Sequence, residues 1–125
     1  MENHIPFVLI VDDVSTNVLL LKVFFKNQPY ETASANSGQE ALDIIEERKP
    51  NIILLDVMMP GLSGFDVAHK LAENKETKDI NIIFLTALGE ELNLPAEFEN
   101  DNYSVVSKPF NKLKLFEKIN QMLAQ

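Results

Sequence analysis

Four largely apolar runs along the chain each end at polar residues, and a fifth run is weaker. Phe7 to Val11 is apolar throughout and stops at Asp12 and Asp13, which predicts a strand buried on both faces. Ile52 to Leu55 repeats the pattern and stops at Asp56. Ile80 to Leu85 ends at Thr86, and Tyr103 to Ser107 is followed by Lys108. Thr32 to Ala35 is more polar and is expected towards an edge of the sheet. Between these runs the apolar period lengthens. Val14, Val18, Leu21 and Phe25 make one face of a helix that ends near Asn27 and Pro29. Ser37 with Glu40 is a capping box opening a second helix, which carries Ala41, Leu42, Ile44 and Ile45 and stops at Pro50. Ser63 caps a third helix through Phe65, Ala68 and Leu71. A final helix from about Asn111 places Leu113, Phe116, Ile119 and Leu123 on one side. Strands that alternate with helices predict an α/β fold, a parallel sheet covered on both faces. In such sheets ligands bind outside the carboxyl ends of the strands.

Composition narrows this picture. With 125 residues and 46% hydrophobic content, the chain is expected to form one domain, residues 1–125, with a core of about 7–123. It has no cysteine, which excludes disulfides and thiolate metal sites. The net charge of −8 argues against direct contact with nucleic acid or an anionic membrane. The apolar runs are too short to span a bilayer, and Met1 to Pro6 lacks the basic-then-apolar order of a secretion signal. A cytoplasmic location is expected.

The strand-end residues carry the chemistry. Asp12, Asp13 and Asp56 bring three carboxylates to one rim, with the hydroxyl of Thr86 and the ammonium of Lys108. Crowded carboxylates repel and raise one another's pKa, and a hard dication with oxygen ligands relieves this. Magnesium suits such a site, and manganese is able to replace it. Thr86 and Lys108 would hold the remaining oxygens of a phosphoryl group, and a carboxylate placed there is a competent nucleophile.

The order Asp12-Asp13, Asp56-Val57-Met58-Met59-Pro60-Gly61, Thr86-Ala87 and Lys108-Pro109-Phe110 resembles the receiver domain of two-component response regulators, from Phe7 to about Leu123. Each motif alone is common; all of them in sequence, on the right elements, are highly specific. The resemblance implies a flavodoxin-like, doubly wound, five-stranded parallel sheet of order 2-1-3-4-5. It implies that Asp56 accepts the phosphoryl group, that Asp13 is a direct metal ligand and Asp12 the second acid. The Met58 carbonyl would be a further metal ligand, Thr86 the switch hydroxyl and Lys108 the neutralising lysine. It also implies a cis Lys108–Pro109 bond. The donor would be a sensor histidine kinase or a phosphotransfer protein, and the output a downstream protein or fused domain. Such a domain is a signalling module and not an enzyme in the ordinary sense, since it catalyses only its own phosphorylation and slow dephosphorylation. Asp12 to Asn17 is similar to receivers attached to, or partnered with, histidine kinases.

The chain departs from the family at two places, and a third feature bears on lifetime. The aromatic residue usual three positions before the lysine is replaced by Val105, with Tyr103 on the same strand face. The stretch from Leu88 to Asn102, which should hold the fourth helix, contains Gly89, Pro95 and five acidic residues, Glu90, Glu91, Glu97, Glu99 and Asp101. Proline inside a helix costs about 3 kcal/mol, so this helix is expected to be short, broken or displaced, restarting with Pro95 in its first turn. Met58 and Leu88 flank the path of an attacking water and cannot orient it, which predicts a long-lived phosphoryl group.

Other classes fit less well. A haloacid-dehalogenase-type phosphatase needs an acid where Met58 stands. A flavin carrier needs a Thr/Ser/Gly-rich loop where Asp12 and Asp13 stand. A pseudo-receiver, a protein-binding module that takes no phosphate, remains open. His4 and His69 are read as inert surface residues.

Overall fold

Strand order in the sheet is β2-β1-β3-β4-β5, all parallel, as the resemblance implied. The strands are β1 (Phe7–Val11), β2 (Glu31–Ala35), β3 (Ile52–Asp56), β4 (Asn81–Thr86) and β5 (Tyr103–Ser107). The helices are α1 (Ser15–Phe25), α2 (Gly38–Glu47), α3 (Gly64–Ala72) and α4 (Lys112–Leu123). The computed structural model describes residues 5–124, so His4 lies outside the described residues.

The period-two alternation of β1 splits its side chains between two cores. Leu9 and Val11 join a cluster with α2 and α3, whereas Val8 and Ile10 join one with α1 and α4. All residues of β1 and β3 are buried, because helices cover both faces at the centre of the sheet. β2 sits at an edge, which explains its polar character.

Helix boundaries correct several expectations. Val14 is not part of the buried face of α1: it stands at the cap position and is about half exposed, and the buried stripe is Val18, Leu21 and Phe25. Leu113 is 82% exposed. The buried stripe of α4 is instead Leu115, Ile119 and Met122, and two residues' rotation, roughly half a turn, carries Leu113 to the opposite side. Ser37 Oγ accepts the Glu40 N–H at 3.1 Å, but Glu40 Oε1 accepts the Asn36 N–H at 2.6 Å, one residue further back than a capping box requires. The reciprocal box forms on α3: Ser63 Oγ accepts the Asp66 N–H at 3.1 Å and Asp66 Oδ2 accepts the Ser63 N–H at 2.9 Å.

Between β4 and β5 there is no α-helix. The crossover consists of two single 3-10 turns, Gly89–Glu91 and Ala96–Phe98. Pro95 stands just before the second turn rather than within it. Phe98 anchors the segment: it is 2% exposed, its ring centroid lying 5.4 Å from that of Phe84, 5.9 Å from Phe65 and 4.8 Å from Tyr103. Tyr103 and Val105 face the same core, as the strand alternation predicts.

Candidate functional site

Parallel registration brings the carboxyl ends of β1, β3, β4 and β5 to one rim. Val11 pairs with Leu55, Asp56 with Leu85, and Thr86 with Ser107. The next residues along the chain are therefore delivered side by side. Asp12 is fully buried, Asp56 and Thr86 nearly so, and Asp13 is exposed. One oxygen from each of Asp12, Asp13 and Asp56 can be chosen so that all lie within 4.8 Å of one another.

Lys108 closes the site. Its Nζ lies 3.3 Å from Asp56 Oδ1 and 3.3 Å from Asp12 Oδ2. Lys108 is delivered there by the backbone, since its N–H donates to the Thr86 carbonyl at 2.8 Å, and the Lys108–Pro109 bond is cis. Thr86 Oγ1 accepts the Leu88 N–H at 3.0 Å, which orients the hydroxyl at the start of the irregular crossover. A cavity of about 250 Å³ opens over the rim, lined by Asp13, Asp56, Thr86 and Lys108 and walled by Val14, Met58 and Leu88. Met58 is 73% exposed and Leu88 47%, so these two apolar side chains stand at the mouth rather than in the core.

The floor of the site depends on a glycine. A Cβ on Gly64 would fall 2.3 Å from the Asp56 carbonyl oxygen, so α3 can start this close behind Asp56 only with no side chain there. The Gly64 N–H donates to the Val57 carbonyl at 2.8 Å, which fixes the turn after β3.

The electrostatics agree with the geometry. Burial, and then the charge of Asp12, push the Asp56 carboxyl up to about 6, against the opposing pull of Lys108. One ammonium shared by two buried carboxylates leaves negative charge in excess. Three carboxylates without nitrogen or sulfur ligands form a donor set that fits a hard divalent cation.

The structure thus brings together Asp12, Asp13, Asp56, Thr86 and Lys108 and sets Met58 beside them. Two residues escaped the sequence reading. Asn17 Nδ2 donates to Asp12 Oδ2 at 3.2 Å, a contact one helical turn past the strand end. His69 lies on the surface, as expected, but it has partners the sequence did not name: its Nδ1 lies 2.8 Å from Glu97 Oε1 and its Nε2 3.5 Å from Glu73 Oε2. Glu73 is visible at i+4, but Glu97 is 28 residues away, beyond any local signal.

Residues 8–120 match the family described as the response regulator receiver domain. The chain is 38% identical over 116 residues to the phosphate regulon transcriptional regulatory protein PhoB of Pseudomonas aeruginosa, covering 93% of this chain and 51% of that protein. It spans a quarter to a half of the length of the curated relatives it matches. A crystal structure of a putative response regulator from Chloroflexus aurantiacus superposes with a TM-score of 0.85 at 29% identity, covering 98% of this chain and all of the other. The receiver domain of sensor histidine kinase PA1611 from Pseudomonas aeruginosa, which has a magnesium ion coordinated in its active-site cleft, gives a TM-score of 0.81 at 22% identity, covering 96% and 98% of the two chains, a likeness of fold.

Proposed function

The chain belongs to the response regulator receiver domain family of two-component systems, and we propose that it accepts a phosphoryl group on Asp56 from a phosphohistidine. The observation that carries the reading is the convergence of three carboxylates within 4.8 Å, one of them held 3.3 Å from Lys108 Nζ. In this reading the residues act as one receiver unit, the donor is a sensor histidine kinase or phosphotransfer protein in the cytoplasm, and the output is a partner protein or attached domain.

Asp12, Asp13, Asp56 and the Met58 carbonyl would hold magnesium, or manganese in its place. When bound, the cation supplies positive charge that lets the carboxylates coexist and screens the incoming phosphoryl oxygens. The transfer itself is a displacement at phosphorus. An Asp56 carboxylate oxygen forms the new P–O bond as the P–N bond to the donor imidazole breaks, its electron pair staying on the ring nitrogen. Lys108, already within reach of Asp56, pairs with one phosphoryl oxygen, and the Thr86 hydroxyl donates to another. Thr86 can make that donation while its oxygen still accepts the Leu88 N–H, so the hydroxyl links the phosphoryl group to the β4–β5 crossover. Met58 and Leu88, apolar at the mouth, orient no water for hydrolysis.

Mass spectrometry after incubation with acetyl phosphate and magnesium tests the reading, with Asp56→Asn as control. One added phosphoryl group is expected, absent in the variant and absent without the cation. Magnesium binding with no adduct would overturn it in favour of a protein-binding module that takes no phosphate.

A further inference from the structure

Asp12 is fully buried, and a buried carboxylate must have its oxygens occupied by donors. Its Oδ1 accepts the Val14 N–H at 2.9 Å. Its Oδ2 accepts from Asn17 Nδ2 at 3.2 Å and lies 3.3 Å from Lys108 Nζ. Of these partners, the backbone amide is permanent and Lys108 is shared with Asp56. Asn17 is the side-chain donor that serves Asp12 from the first turn of α1.

We propose that Asn17 is a positioning residue for the acidic pocket: its amide holds the buried Asp12 carboxylate in place whether or not Lys108 is engaged there. The inference rests on the reading that the pocket binds a divalent cation and that Lys108 turns to the phosphoryl group. When Lys108 leaves Asp12, Oδ2 retains only the Asn17 amide among the contacts it now makes. A neutral donor suits this task, because it orients a carboxylate without competing with the cation for its charge. Lys108 and Asn17 approach the same oxygen, so losing Asn17 also leaves Lys108 as that oxygen's remaining partner. Lys108 is then drawn towards Asp12 and away from Asp56.

The role is separable from helix structure. Leucine has the branched outline and heavy-atom count of asparagine and is a better helix former, but donates nothing. Glutamine keeps the amide on a stem one methylene longer.

The test is magnesium affinity, measured by calorimetry and by NMR titration of the rim amides, on wild type, Asn17→Leu, Asn17→Gln and Asn17→Ser. Outer partners of metal-holding carboxylates typically contribute about 10–100-fold in affinity. Asn17→Leu is expected to weaken binding about tenfold or more while its thermal midpoint is kept, and Asn17→Gln to recover part of the loss. Should Asn17→Leu fail to fold, Asn17→Ser, which retains a small polar side chain too short for the contact, takes its place with the same expected loss. A folded variant without the amide that binds magnesium within about twofold of wild type overturns this inference alone. Wild-type protein that binds no magnesium overturns the reading of the pocket and this inference with it.

Discussion

Between β3 and β4 the chain crosses as α3, nine residues closed at their start by the reciprocal bonds of Ser63 and Asp66 and buried along Val67, Ala68 and Leu71. Between β4 and β5 it crosses as two three-residue turns, and Phe98 in the second is buried. The first crossover spreads its attachment over a stripe and a cap. The second fully buries one ring, set among Phe65, Phe84 and Tyr103, with Leu92 and Leu94 partly buried against the same core. Both crossovers leave the same rim, the first just after Asp56 and the second just after Thr86. The lesson is that one strand end is backed by regular, redundantly fixed structure and the other by an irregular segment whose one fully buried anchor is Phe98.

The largest effect expected from this difference is at Phe98. Phe98→Ala should cost about 3–5 kcal/mol in chemical denaturation. Amide exchange should then accelerate through residues 88–102 while α3 stays protected. A loss below about 1 kcal/mol would break the comparison.

The next test uses the glycine near the start of each crossover. At Gly64 a methyl group would meet the Asp56 backbone oxygen at 2.3 Å, which cannot move aside without disturbing the site. Gly64→Ala should therefore cost about 3 kcal/mol, at the upper end for overpacking. At Gly89 the nearest atom would be Ser107 Cβ at 3.3 Å, and the burden is the left-handed φ of 57°. Gly89→Ala should cost about 1–2 kcal/mol. Equal losses in the two variants would show that the crossovers are equally rigid at the rim.

A smaller effect is expected at the mouth of the cavity, where Met58 belongs to the first crossover and Leu88 to the second. Met58→Asn places a group able to hold water beside Asp56 and should speed loss of the phosphoryl group severalfold, read as the decay of the phosphorylated mass after donor removal. An unchanged decay rate would remove Met58 from the account of lifetime.

The smallest effect concerns the tie between the two crossovers. His69 on α3 bonds Glu97 in the second 3-10 turn, with Glu73 on its other side and Asp66 also contributing. The hydrogen bond to Glu97 and then its charge raise the His69 pKa above the usual histidine value. A histidine raised in the folded state stabilises fully below its unfolded pKa of about 6.5 and loses that contribution as pH rises through the folded value. Thermal midpoints of wild type and Glu97→Gln should thus differ at pH 5.5 and converge towards pH 9. A difference that persists unchanged at high pH would mean the tie is not ionic.

Much of this was legible along the chain. β1 and β5 have the bounds their apolar runs predict, and the remaining strands differ by a residue or so. The strand-end residues were identifiable because aspartate, threonine and lysine interrupt otherwise apolar sequence. The broken crossover was legible from Pro95 and Gly89, whose backbone constraints act locally. The failures were those of contact. Leu113 and Val14 are apolar yet exposed, since periodicity cannot say where a helix begins or which stripe meets the sheet. The partnership of Glu40 with Asn36 rather than Ser37, the His69–Glu97 bond and the Asn17–Asp12 bond are choices among nearby donors that only the folded geometry makes.

The sequence by itself determined the element order, the parallel sheet and the residue types at the rim, because hydrophobic period, caps and breakers act over a few residues. Only the tertiary structure decided how those residues meet. Lys108 and Asp56 lie 52 positions apart and come within 3.3 Å through the register of β3, β4 and β5. The same folding buries Asp56 beside Asp12 and lifts its pKa to about 6, an effect of burial and neighbouring charge that no local pattern encodes.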